Sequence, residues 1–155
     1  MIAKAIAGSF LLAVVLAAAL PASADVIFLK GGQRIEGEIQ DKGTAYEVKT
    51  KFGTWTYPKE DTAKVVRSPE ALAEEAEALH AQGRALYEEA TKPDVAPKEA
   101  NPKLKAAVEL LHKAASLYQE AMETYDDPRT ARMSKIVANL FQEKRLYRDK
   151  MSSEI

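Results

Sequence analysis

The sequence predicts an α+β chain in which a small five-stranded barrel, residues 25–67, precedes three antiparallel amphipathic helices in residues 68–155. Three observations carry this expectation. From Arg34 to Gln40 polar and apolar residues alternate strictly, the period of a strand with one buried face. Short apolar runs recur throughout 25–67, broken at Gly31-Gly32, Asp41-Lys42-Gly43, Phe52-Gly53 and Pro58-Lys59-Glu60-Asp61. Beyond Arg67 the period changes, with Leu72, Ala76, Leu79, Gly83, Leu86 and Ala90 spaced alternately four and three apart, as on one face of a helix.

The first 24 residues have the pattern of an export signal. Lys4 gives a positive start, Phe10 to Leu20 is an unbroken apolar run, and Pro21 leads into Ala22-Ser23-Ala24, the small-x-small pattern at which signal peptidase cuts. A retained membrane anchor is the alternative, but the segment is Ala-rich, interrupted by Ser9 and closed by the cleavage pattern. Asp25 is therefore the expected first mature residue and the expected location is periplasmic or secreted. No Cys occurs, which excludes disulfides and a lipid-modified cysteine anchor. The formal net charge is −1, and −2 without Lys4, so there is no bulk attraction for nucleic acid or anionic lipid and no stable membrane anchor is expected after cleavage.

In the strand region Ile35, Gly37 and Ile39 face one way and Arg34, Glu36, Glu38 and Gln40 the other; Tyr46, Val48, Thr50 and Phe52 oppose Glu47, Lys49 and Lys51 in the next run. Trp55 and Tyr57 alternate with Thr54 and Thr56, which assigns the two rings to the inner face, with a ligand-stacking pair as the alternative. Ala63 to Arg67 closes the series. Five short strands in so few residues cannot make an open sheet with a sizeable core, and a small closed or nearly closed barrel is the economical solution. Ile27 and Leu29 are expected inside it. That leaves Val26 and Phe28 outside, to be covered by the start of the first helix around Leu72 and Ala76 or by a partner.

Leu29-Lys30-Gly31-Gly32-Gln33-Arg34-Ile35-Glu36-Gly37-Glu38-Ile39, followed by Phe52-Gly53-Thr54-Trp55-Thr56-Tyr57-Pro58, resembles the Sm-like or SH3-like barrels of small exported bacterial proteins. The resemblance implies a barrel whose second strand bends at Gly37. It does not carry the RNA-gripping residues of Sm proteins: Val65-Val66-Arg67-Ser68 has Ser where their Arg-Gly ends the strand, and the Asp-x-aromatic-Met-Asn loop is missing.

Ser68-Pro69-Glu70 supplies an N-cap, a first-turn proline and a dipole-favoured acid for a helix over 69–91. A linker follows at 92–101 with Pro93 and Pro97. Asn101-Pro102 and Asp127-Pro128 repeat the cap-proline device and predict helices over 102–125 and 128–150. The second has a broad apolar arc, Leu104, Val108, Leu111, Ala115, Tyr118, Met122 and Tyr125 with Leu110, Ala114, Leu117 and Ala121 beside them, and should lie in the middle. The third presents Met133, Ile136, Val137, Leu140, Phe141 and Tyr147. Leu79 to Ala90, with Gly83 at a small position and Leu86-Tyr87 near an aromatic one, resembles the first helix of a tetratricopeptide repeat; Ala114, Tyr118 and Ala121 are similar to its second. This implies a repeat-derived hairpin plus a capping helix.

No nucleophile motif, phosphate loop or metal-spaced cluster occurs in the sequence. His80 and His112 would need further donors such as Glu75, Glu77 or Glu109 to hold a metal, and are expected to be boundary or surface residues. Glu74-Glu75 and Glu88-Glu89 diverge by about a hundred degrees around a helix and do not converge on a substrate. Residues 68–91 hold six Glu and one Arg, whereas 128–155 hold Arg129, Arg132, Lys135, Lys144, Arg145, Arg148 and Lys150 against three acids, either a surface for an anionic partner or a solvated face balancing the acidic helix. The expected function is a non-enzymatic binding or scaffolding module for a protein or peptide partner, without cofactor or metal. The candidate partner-binding residues are Phe28, Tyr87, Tyr118, Arg145 and Arg148. An accessory subunit of an envelope enzyme, or an Sm-like nucleic-acid binder, is the alternative.

Overall fold

The structure is a computed structural model and describes residues 24–125, 128 and 130–153. Residues 1–23 of the expected signal segment, Asp127 and Arg129 lie outside the described residues.

Five strands form an antiparallel sheet: β1 Asp25–Leu29, β2 Arg34–Asp41, β3 Ala45–Thr50, β4 Gly53–Pro58 and, after a 3-10 turn at Lys59–Asp61, β5 Thr62–Val66, in the order β4-β3-β2-β1-β5. The alternation in β2 is used twice. Its first half pairs with β1, Ile35 opposite Ile27, and its second half with β3, Ile39 opposite Val48. The change of neighbour falls at Gly37, where a Cβ would stand 2.6 Å from the Lys49 carbonyl oxygen, so only glycine lets β3 come this close. The β2–β3 turn is held by Asp41, whose Oδ1 accepts from the N–H of Gly43 at 2.8 Å while Oδ2 meets Lys59 Nζ at 2.7 Å.

Ile27 and Val48 are completely buried on the inner face, with Ile35, Ile39 and Val65 half-buried. The core assignment of Trp55 is corrected. Although it lies opposite Val48, its side chain is 43% exposed, because β4 is an edge strand and the indole folds back over Gly53 toward the hairpin tip, where Phe52 is 81% exposed. Tyr57 is half-buried.

Helix α1 is Pro69–Ala90, α2 Pro97–Thr124 and α3 Met133–Ser153. The cap of α1 forms as its sequence requires, with Ser68 Oγ accepting from the N–H of Ala71 and Pro69 in the first turn. The other two starts differ from expectation. Pro97, not Pro102, is the first-turn proline of α2, and Pro102 lies inside the helix. A proline there removes one backbone hydrogen bond, but Pro102 is exposed and the turns around it bury Ala100 and Leu104 against Ala90, with Tyr87, Val95 and Met151 alongside. Asn101 is thus no cap, and its Oδ1 is buried with no hydrogen-bond partner among the described residues. The linker shortens to residues 91–96. Helix α3 starts five residues after Pro128, following a turn in which Thr130 Oγ1 donates to the Tyr125 carbonyl and the N–H of Met133 to the Thr130 carbonyl.

Gly83 gives α1 and α2 their close approach: a Cβ there would lie 2.4 Å from Leu111 Cδ1 and 3.3 Å from the Ala107 carbonyl oxygen. Together with the Lys103–Glu89 ion pair, this contact runs α2 antiparallel to α1. Helix α2 packs on both α1 and α3 and supplies more buried side chains than any other element.

The outer face of the sheet shares that core. Val26 and Val66 belong to the same buried cluster as Leu72, Ala76, Tyr118, Ala121 and Tyr125, and Phe28 packs against it. Polar ties surround the seam. Tyr125 Oη lies 2.9 Å from the Arg67 carbonyl oxygen and 3.0 Å from that of Ala24, Ser68 N–H donates to Asp25 Oδ1, Arg34 donates to the Thr124 carbonyl, and Lys64 pairs with Glu120 at 2.9 Å. A sheet this small has a poor ratio of core to surface, and the helices supply the apolar cover that it lacks.

Candidate functional site

A groove of about 360 Å³ opens between α2 and α3, lined by Val108, Glu109, His112 and Lys113 from α2 and by Lys144 and Arg148 from α3. Helical spacing places these side chains. On α2 they flank the buried stripe of Ala107, Leu111, Ala114 and Ala115, one step toward α3; on α3, Lys144 and Arg148 are four apart and share a face. Three of the six lining residues are cations, Lys113, Lys144 and Arg148, Glu109 is the single carboxylate, and most of the surface they expose to the groove is apolar. Lys113 and Lys144 take part in no ion pair among the described residues. Lys144 Nζ instead stands 4.9 Å from the ring centroid of Phe141, which is 41% exposed, so an aromatic surface continues from the basic wall.

The wall is fixed from behind. Glu143, adjacent to Lys144, has both oxygens engaged: Oε2 lies 2.6 Å from His80 Nε2 on α1, and Oε1 accepts from the Tyr147 hydroxyl at 2.5 Å. Tyr147 stacks on Tyr87 of α1, ring centroids 4.1 Å apart and planes 8° from parallel. Burial, the hydrogen bond to Glu143 and the charge of that carboxylate all push the Tyr147 phenol well above its ordinary pKa. This His–Glu–Tyr cluster ties α3 to α1 and so holds the Lys144–Arg148 face in position.

The five candidate partner residues separate into two groups. Arg148 lines the groove, and Arg145, next to Lys144, is 85% exposed at its side chain with Asp149 at 4.0 Å. Phe28 and Tyr87 are half-buried against the core, and Tyr118, 3% exposed, is reachable only by opening the bundle. His80 finds Glu143 rather than Glu75 or Glu77; Glu75 pairs with Arg67, and Glu89 with Lys103. Among the described residues no group of three or more His, Asp or Glu is arranged to hold a metal ion.

The sequence does not single out Val108, Lys113 or Glu143 as partner or site residues, and it marks Lys144 only as one of the basic residues in 128–155 that form either a surface for an anionic partner or a solvated face. The spacings Glu143–Tyr147 and Lys144–Arg148, each four residues on a helix, were the available signal; that they face α1 and α2 respectively depends on how the helices dock. Comparison with protein-family models, curated proteins and solved structures gives no match for this chain.

Proposed function

We propose that the chain is an exported, non-enzymatic binding or scaffolding module of the periplasm or cell envelope, and that it holds a protein or peptide segment in the α2–α3 groove. The observation that carries this reading is the groove itself: an open cleft with a largely apolar lining and cationic residues on both walls, braced by the Glu143 cluster. Pre-formed walls lower the ordering cost of binding. The order β4-β3-β2-β1-β5 and the change of pairing partner at Gly37 are compatible with the small Sm-like or SH3-like barrel, which in this reading is the platform for the helices rather than the binding element. The rival enzymatic reading would draw on His80 and Glu143, but both Glu143 oxygens are committed to side chains of the fold.

The test is site-specific photocrosslinking in cells. A benzoylphenylalanine at position 113 or 144 should give a discrete adduct with an envelope protein, while the same group at position 30, on the β1–β2 turn, should not. Adducts formed only from position 30, or from none of the three, would refute the groove as the binding surface. Intact mass of the recovered protein tests export, which requires a chain beginning at Asp25.

A further inference from the structure

Building on the groove as the binding surface, we infer that its occupant is an acidic peptide segment, one in which carboxylates flank an apolar side chain. Lys113 and Lys144, one on each wall, are the cations that carry this, since neither takes part in an ion pair among the described residues, and Arg148 and His112 add donors to the same cleft. Cations on opposite walls of one cleft repel each other, and an anionic group placed between them relieves that repulsion. The exposed Phe141 beside Lys144 and the Val108 wall offer apolar contact next to the charges. A segment with carboxylates alone would leave this surface wet, and an apolar segment alone would desolvate the ammonium groups without a partner.

Other anions fit the surroundings less well. The basic region is local: α1 carries six glutamates and the whole chain is slightly acidic, so a nucleic-acid backbone extending past the groove would meet like charge. A flat anionic bilayer would not enter a cleft. Glu109 within the lining further favours an occupant with separated charges over a dense polyanion.

The test uses the full mature chain and three short labelled synthetic peptides of equal length, with Leu interspersed by Glu, by Gln or by Lys, followed by fluorescence anisotropy. The Glu peptide should bind, and raising salt from about 0.05 to about 0.5 M should weaken it by about tenfold or more. The double substitution K113E/K144E should cost the Glu peptide at least about tenfold and should improve binding of the Lys peptide, the signature of charge complementarity rather than of misfolding. K30E, on the β1–β2 turn, should leave binding unchanged. Equal binding of the Gln and Glu peptides, both lost on Val108→Asp, would overturn the acidic occupant while leaving the groove as the binding surface. Failure of all three peptides to bind would overturn the acidic occupant, and the photocrosslinks at 113 and 144 then decide separately whether the groove binds anything. Tighter, K113E/K144E-sensitive binding of a single-stranded oligonucleotide or of phosphatidylserine vesicles would also overturn it.

Discussion

Replacing Tyr125 with Phe should loosen the sheet and the helices together. The ring is buried in the shared core beside Val26, Val66 and Tyr118, and Phe retains that packing, so the substitution isolates the hydroxyl. Its single proton serves one acceptor at a time among the carbonyls of Arg67 at 2.9 Å, Ala24 at 3.0 Å and Val66 at 3.4 Å; in a chain beginning at Asp25, the Arg67 bond carries the contact. A typical buried hydrogen bond contributes ~0.5 to 1.5 kcal/mol, and a carbonyl left partly unsatisfied adds to the loss, which gives about 1 to 2 kcal/mol for Tyr125→Phe. For a chain of this size that lowers Tm by roughly 3 to 6 °C. Trp55 is the single tryptophan and lies in the sheet, whereas circular dichroism at helical wavelengths reports α1 to α3, so urea unfolding can be followed in both parts at once. Coincident transitions in the parent chain, shifting together in Tyr125→Phe with unchanged slope, are the expected result. Separate fluorescence and dichroism transitions, or a shift confined to one probe, would refute the single cooperative unit.

Phe28→Ala should cost about 1.5 to 3 kcal/mol by removing apolar cover from the seam, measured by urea unfolding, with faster proteolysis near residues 67–69; unchanged melting combined with loss of partner capture would make that strip the binding surface instead. Gly37→Ala should destabilise by at least about 1 to 3 kcal/mol, since its Cβ would press on a backbone carbonyl that can yield only if β3 moves; an unchanged denaturation midpoint would contradict the close approach. The Lys59 ammonium and the Gly43 N–H hold the Asp41 carboxyl below its ordinary pKa, so its contribution is present above the unfolded carboxylate value of ~3.9 and is lost as pH falls through the lower folded value; Asp41→Asn should flatten that acid limb of stability, and high salt should mimic the substitution. Tyr147 behaves in the opposite sense. Its raised folded pKa makes the fold lose stability as pH climbs past the unfolded phenol value of ~10, and Tyr147→Phe should remove that alkaline loss while costing about 1.5 to 3 kcal/mol at neutral pH.

Local spacing determined a good deal of this protein. The alternation of Ile35, Gly37 and Ile39 with charged neighbours is enough to make a strand with one buried face, and Ser68-Pro69-Glu70 followed by Leu72 and Ala76 is enough to start α1 where it starts. Both are properties of a few consecutive residues, governed by backbone geometry and by the side chains one turn or one pleat away. The same spacing placed Val26 and Phe28 on the outer face of β1, and required that something cover them. Other outcomes depended on contacts between distant residues. Pro102 is a helix-start signal by local chemistry, yet α2 begins earlier because Ala100 and Leu104 gain a buried position against Ala90. Trp55 has the alternation of an inner residue but sits on an edge strand, so among the described residues no further strand closes over it. The Tyr125 hydroxyl bonds a carbonyl 58 residues away and His80 meets Glu143 across 63 residues. The groove belongs to this second class: in the sequence Lys113 is an ordinary surface cation and Lys144 one of a basic set with no assigned neighbour, and they become opposite walls of one cleft only through the docking of α3 on α2, which the buried Leu111, Val137 and Leu140 decide.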